Sequence, residues 1–425
     1  MRSLVGLALF LLATGPLAGE EVDEHTVTTR QRPATDPLGM RLGAFNLGSS
    51  LSLGYLRDDN IFATDTGEVH DNILTLQPEA VLSSDWNRHA LRLGADATIG
   101  RYGDHDGENY EDWHVFADGR LDLPNGNVTG ALNHSNLHEL RTSPDDIGGL
   151  EPTTYTVTAA DLTWQFRPGA LLIRPDVRFS TFTFHPTAVT APGDSAQCVP
   201  TSNPTVDICS NSDRDRNALD FGLRLGYEVK PEYSMFVEGR AARFDYDRKV
   251  DYHGFQRSSD GYELLVGTTL DLGGKAFGEV YAGFRHWSFD DPRFENIDGP
   301  AFGAHVSWNV TGLTTLTVSA DRTIEPTTIV NAAGILRTAF GLSIDHELLR
   351  NLLLWAKASV ATEHFEGIDR DDDLLFTGFG AKYFMNRHVY LLVGVERESR
   401  DTSPADSGGR AYDIHTFELR LQGNL

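Results

Sequence analysis

Several things are scarce in this chain of 425 residues, and each shortage removes a class of function. There are only two cysteines, too few for a cysteine-rich metal site or a disulfide scaffold. Basic residues are outnumbered, with 36 Lys and Arg against 61 Asp and Glu, and the net charge of -25 makes nucleic acid a poor partner. Past the N-terminus no apolar run approaches the roughly 18 residues that a membrane-spanning helix needs. HExxH, P-loop and GxSxG patterns are missing, and the 15 histidines are scattered, so neither an enzyme, a metal site nor a bound cofactor is expected. Asn133-His134-Ser135 has the letters of a hydrolase triad, but neighbours along a strand point to opposite faces and cannot meet.

What the chain does have is a metre. Eight short joints can be picked out, at 84–88, 124–127, 167–170, 230–233, 273–275, 309–312, 349–351 and 385–387, several rich in the Gly, Pro and Asn that tight turns use. Between them lie nine longer polar stretches, at 58–71, 103–109, 142–153, 186–213, 248–260, 289–298, 324–334, 366–373 and 401–411. Long and short strictly alternate, and the seventeen joints separate about 18 strands. Apolar and polar residues also alternate within the strands: Leu219, Phe221, Leu223 and Leu225 fall on one face, Asp220 and Arg224 on the other. So many consecutive antiparallel strands would leave long unpaired edges unless the sheet closed. The expected fold is therefore all-β, a single transmembrane antiparallel up-and-down β-barrel with short periplasmic turns and long extracellular loops.

The polar face then becomes the inner wall. Arg92, Asp96, Asp118, Arg120, Asp122, Arg174, Asp176, Arg178, Asp220, Arg224, Glu228, Glu238, Arg240, Glu279, Arg285, Lys357, Glu396, Glu418 and Arg420 are expected to line a pore, with Lys382 among them. An Arg or Lys turned to lipid near the midplane would cost roughly 2–4 kcal/mol, which is why they must face inward. Barrels of 16–18 strands are wide enough for an aqueous channel, and mixed signs suggest a path for polar solutes with a weak bias toward cations. Salt bridges filling the interior, or a long loop such as 186–213 folding in, would narrow it. A non-conducting structural or receptor barrel of the cell surface is the competing reading.

Met1-Arg2, the apolar run 4–12 and the small residues Ala18 and Gly19 have the layout of a cleaved secretory signal peptide, placed at 1–19. Residues 20–45 would form a periplasmic extension, extended by Pro33 and Pro37, and 46–425 the outer-membrane barrel. A plug for the lumen, a docking segment and a flexible leader all remain open for the extension. Cys198 and Cys209, both in the longest connection, are expected to form a disulfide pinning a surface loop. All six tryptophans, Trp86, Trp113, Trp164, Trp287, Trp308 and Trp355, fall near strand ends, as interfacial girdles would require. The acidic runs 57–60 and 369–373 would face the exterior, either as solvated loops or bridged through divalent cations to lipopolysaccharide.

One stretch carries distinctive wording. Arg32-Pro33-Ala34-Thr35-Asp36-Pro37-Leu38-Gly39-Met40-Arg41-Leu42-Gly43-Ala44-Phe45, then Asp58-Asp59-Asn60-Ile61-Phe62-Ala63-Thr64 and the turn at 84–91, resembles the opening of the second family of putative beta-barrel porins of proteobacterial outer membranes. The resemblance covers the mature chain in strand layout, while its wording ends near Tyr102. It implies an outer-membrane channel in contact with lipid and lipopolysaccharide. Some similar proteins are associated with capsule or exopolysaccharide secretion, which implies a polysaccharide exit working with periplasmic export components. No residue role carries over. Phe116, Phe236, Tyr281 and Trp355 could stack on sugar rings, but they are too few and scattered to decide between conduit and diffusion porin.

Overall fold

The computed structural model describes residues 26–405 and 407–425. The expected signal peptide lies outside them. Eighteen strands, from Phe45–Asp58 to Tyr412–Asn424, are each paired antiparallel with the neighbour in sequence. The first and last strands then pair with each other, from Ser50 opposite Asn424 to Asp58 opposite Thr416, so the sheet is a closed ring. Closure leaves the sheet no free edge, the condition for a sheet to sit in hydrocarbon.

The eight short joints fall where the turn residues stand. Between Ser259–Asp271 and Ala276–Phe289, for example, Gly273 and Gly274 both have positive φ, 60° and 71°, which suits the tight hairpin that joins two twisted strands. The nine long connections all emerge at the opposite end. Strand lengths of 12 to 16 residues exceed the roughly 9–11 that span a bilayer, so the wall projects beyond the lipid.

Alternation sorts the two faces. On Arg216–Lys230 the outward row Leu219, Phe221, Leu223 and Leu225 is exposed, whereas Asp220 and Arg224 are buried on the inner side. Exposed Leu53, Leu74, Leu132, Leu264, Phe340, Val360 and Phe379 continue an apolar belt around the ring. Among the described residues no helix is long and apolar enough to cross a membrane; the strands do the crossing.

The tryptophans divide in a way that corrects the girdle expectation. Trp86, Trp113, Trp164 and Trp308 are exposed on the outer face. Trp287 is 2% exposed, packed inside with Phe244, Tyr246, Ile297 and Ile324 at the long-loop end. Trp355 also turns inward, its indole occupying the space that a Cβ on Gly380 or Gly394 would take. Both lie two residues from an inward charge, Arg285 and Lys357, and a strand's period of two puts them on that face.

Within the longest connection, Thr187–Thr190, Cys198–Pro200 and Val206–Cys209 form a small three-stranded sheet. Cys198 and Cys209 stand directly opposite each other in it and are joined by a disulfide.

Candidate solute pathway

The interior is not evenly filled. On the side formed by the strands between residues 154 and 289, arginines and carboxylates interlock. Arg224 donates to Glu238 at 2.5 Å and to Glu279 at 3.0 Å, and its guanidinium lies 3.8 Å from the Phe236 ring centroid. Arg240 reaches Glu238 at 2.8 Å and Asp176 at 3.4 Å and also pairs with Asp220. Arg285 holds Glu263 at 2.5 Å, and Arg178 holds Asp161. Arg174 faces Arg224 in register across two strands, so one layer of wall carries two guanidiniums against Glu238 and Glu279. The forked guanidinium can serve two carboxylates at once, which a lysine cannot do in the same geometry. The space left there is about 50 Å³.

The rest of the lumen holds two larger cavities. One cavity of about 780 Å³ is lined by Trp355, Lys357, Lys382, Glu396, Glu418 and Arg420, among others. A second, of about 730 Å³, meets Arg92, Asp96, His114, Arg178, Asp220 and Arg420. His138, Leu140, Lys382, Tyr390, Leu392 and Arg420 belong to both and form a waist. Lys382 sits with its Nζ 4.8 Å from the Tyr390 ring and Lys357 with its Nζ 5.6 Å from Trp355. Neither lysine forms an ion pair among the described residues, in contrast to the arginines of the opposite wall.

The remaining charged positions lie toward the short-turn end. Arg92 is 3.6 Å from Asp118, and Arg120 is 3.0 Å from Asp122. Asp122 also accepts a hydrogen bond from the His89 backbone at 2.8 Å, and Glu228 is exposed beside the turn at 230–233.

At the long-loop end one connection reaches across the opening. It is residues 139–153, not the longest connection. Glu139 binds Arg214 at 2.6 and 2.9 Å, and Arg141 binds Glu108 at 2.6 and 2.9 Å. Asp145 accepts from Thr327 Oγ1 at 2.7 Å and from the Thr328 backbone at 3.1 Å, while Arg410 donates to the Asp146 carbonyl at 2.7 Å. These partners come from widely separated parts of the ring, so the loop bridges it. Burial alone would raise the Glu139 carboxyl, but Arg214, Ser143 and Arg141 hold it below the usual range. Asp146 is pushed up by burial, despite Arg141 and Arg410 beside it. The disulfide-bonded sheet supports this loop from outside: Ile147 packs on Val189, Cys198 and Cys209, and the Leu150 backbone donates to the Ala188 carbonyl at 2.7 Å.

A closed ring of eighteen strands around an interior that holds two large cavities is porin architecture, and the sequence agrees with it. The chain belongs to the family described as Putative beta-barrel porin 2, whose model matches residues 32–422. No curated protein matches it in sequence. Among solved structures it is similar to Pseudomonas aeruginosa OpdO, at 16% identity over 90% of this chain and 98% of that one, with a TM-score of 0.45. Acinetobacter baumannii OccAB3 is similar at 9% identity over 90% and 100% of the two chains, TM-score 0.47. Pseudomonas aeruginosa OccK2 (OpdF), solved in complex with glucuronate, is similar at 11% identity over 90% and 99%, TM-score 0.48. Membership of this porin family places the barrel in the outer membrane and makes it a channel-type fold.

One part of this porin's pathway was not singled out from sequence, and another was weighed both as a girdle residue and as one of four scattered aromatics that could stack on a sugar. Residues 139–153 look like any polar loop until Asp145 is seen on Thr327, 182 positions away. The inward ring of Trp355 did leave a signal, its spacing from Lys357, which the pairing of tryptophan with interfaces obscured.

Proposed function

We propose that this porin passes small polar solutes across the outer membrane through the paired cavities, entering beneath the loop 139–153 and crossing the waist at Lys382, Tyr390 and Arg420. The observation that carries this reading is that the two cavities share waist residues, so they are two chambers of one path rather than separate pockets. Along that path Arg92, Asp96, Arg178, Asp220, Lys357, Glu396, Glu418 and Arg420 are the charges a solute meets. Asp176, Arg224, Glu238, Arg240 and Glu279 hold the wall instead, because their charge is largely spent on one another, as that of Arg285 is on Glu263, and Arg174 stands beside Arg224 in the same wall. With lysines and carboxylates both facing the chambers, ion selectivity is weak in either direction.

Planar-bilayer recordings test this: discrete open steps carried by the folded protein are expected, and a folded barrel that stays silent under all voltages would return it to the class of surface scaffolds. Export of an exopolysaccharide is the larger-solute version of the same reading and rests on the family resemblance. A polymer would have to clear both the loop 139–153 and whatever occupies the short-turn mouth. Uptake by proteoliposomes of a monosaccharide set against an oligosaccharide of the same sugar separates the two versions.

A further inference from the structure

We propose that residues 26–36 are a built-in plug, seated in the short-turn mouth of the lumen and limiting flow through the larger chamber. This rests on the channel reading above.

The seat is made by five consecutive strands, from Thr314–Glu325 to Val389–Ser403. Val27 is 2% exposed, wedged among Leu353, Phe384 and Tyr390 on the inner wall. Its backbone N–H donates to Thr315 Oγ1 at 2.9 Å. Arg30 and Arg32 converge on one buried carboxylate, Glu347, and Arg32 also lies 5.6 Å from the Phe384 ring. The Tyr390 hydroxyl donates to the Thr35 carbonyl at 2.7 Å. Within the segment, the Arg30 N–H bonds the Thr26 carbonyl at 3.0 Å and the Asp36 N–H bonds the Arg32 carbonyl at 2.8 Å, folding it into two compact turns rather than an extended leader.

Each half of this contact accounts for an otherwise costly feature of the other. Glu347 is a buried carboxylate whose only cationic partners among the described residues come from the segment, and a buried charge without a partner is strongly unfavourable. Val27 would be an apolar side chain in water. The segment also floors the chamber: Thr28, Thr29, Gln31 and Asp36 line the same 780 Å³ cavity as Lys357 and Lys382. Beyond Asp36 the chain is tied outside the mouth, where Met40–Leu42 pairs with the start of the first barrel strand and the Gly39 N–H meets the Leu425 carbonyl. The plug is therefore tethered, and its removal from the seat admits water to Glu347 without opening the ring.

The test is single-channel conductance of the full-length mature protein in planar bilayers, compared with a Val27→Asp, Arg30→Ala, Arg32→Ala variant and, from the wall side, Glu347→Gln. The first variant alters no barrel strand, and heat-modifiable gel migration checks folding of both. Displacing the plug is expected to raise the unitary step roughly twofold or more, since conductance follows the free cross-section of the pore. Folded variants whose steps equal those of the unaltered protein overturn the plug and leave the channel reading intact. Folded variants that stay as silent as the unaltered protein overturn both.

Discussion

Arg224 shows how much a single side chain carries in this interior. It serves Glu238 and Glu279 together, covers Phe236, and Glu238 itself is 2% exposed. Arg224→Ala is expected to destabilise by less than the roughly 3–5 kcal/mol of a fully stranded buried charge, because Glu238 keeps Arg240 at 2.8 Å while the half-buried Glu279 loses its arginine. A fall in the urea midpoint of the detergent-solubilised barrel would register this, and an unchanged midpoint would show that water already screens the wall. Lys382 has the opposite character: it faces the waist with rings beneath it and, among the described residues, no ion pair. Lys382→Glu is expected to move the reversal potential in a salt gradient toward cation preference while leaving stability nearly unchanged. The inward charges were legible from sequence because lipid excludes them from the other face. Trp287 and Trp355 were misread because a preference for interfaces was allowed to outweigh the alternation that Arg285 and Lys357 already specified.

Among the elements, the turns and the loops differ in how far their causes reach. The hairpin at Gly273 and Gly274 is specified by the two residues that adopt positive φ, and Gly126 and Gly169 mark two more joints in the same way, while the other five show only as short polar breaks in the alternation. The course of the loop 139–153 is specified by partners at Glu108, Arg214, Thr327 and Arg410, and no local pattern encodes those meetings. The disulfide sheet is the link between the two kinds. Its three strands all come from one stretch of chain, yet through Ile147 it holds the bridging loop in place. By the chain-entropy account a closure of this length is worth roughly 3 kcal/mol, and here it acts on the loops rather than on the wall. Cys198→Ser with Cys209→Ser is therefore expected to speed protease nicking within 139–153 and 186–213 and to add flicker to the open current. The temperature at which the barrel loses its folded gel mobility should not move; if it does, the sheet supports the ring as well.

For the whole molecule, what decides the fold is the belt of side chains that would be wrong in water. Leu223 lies midway along its strand, 38% exposed and next to Arg224, which is 8% exposed on the other face. Leu223→Arg is expected to cost about 2–4 kcal/mol where the strand crosses the bilayer midplane, far more than Leu223→Ala, although an arginine one residue later is held inside by two carboxylates. The yield of membrane-inserted, heat-modifiable protein for the two substitutions measures the difference, and equal yields would place this face away from lipid. The pairing of Leu51 with Gly423 and of Arg57 with Phe417 has one more effect. The seam joining the first and last strands is bonded like any other, so the wall itself has no privileged beginning. A gene cut within any periplasmic turn, with the old termini spliced, would encode the same cylinder; only the short basic stopper ahead of Phe45 would know where translation had started.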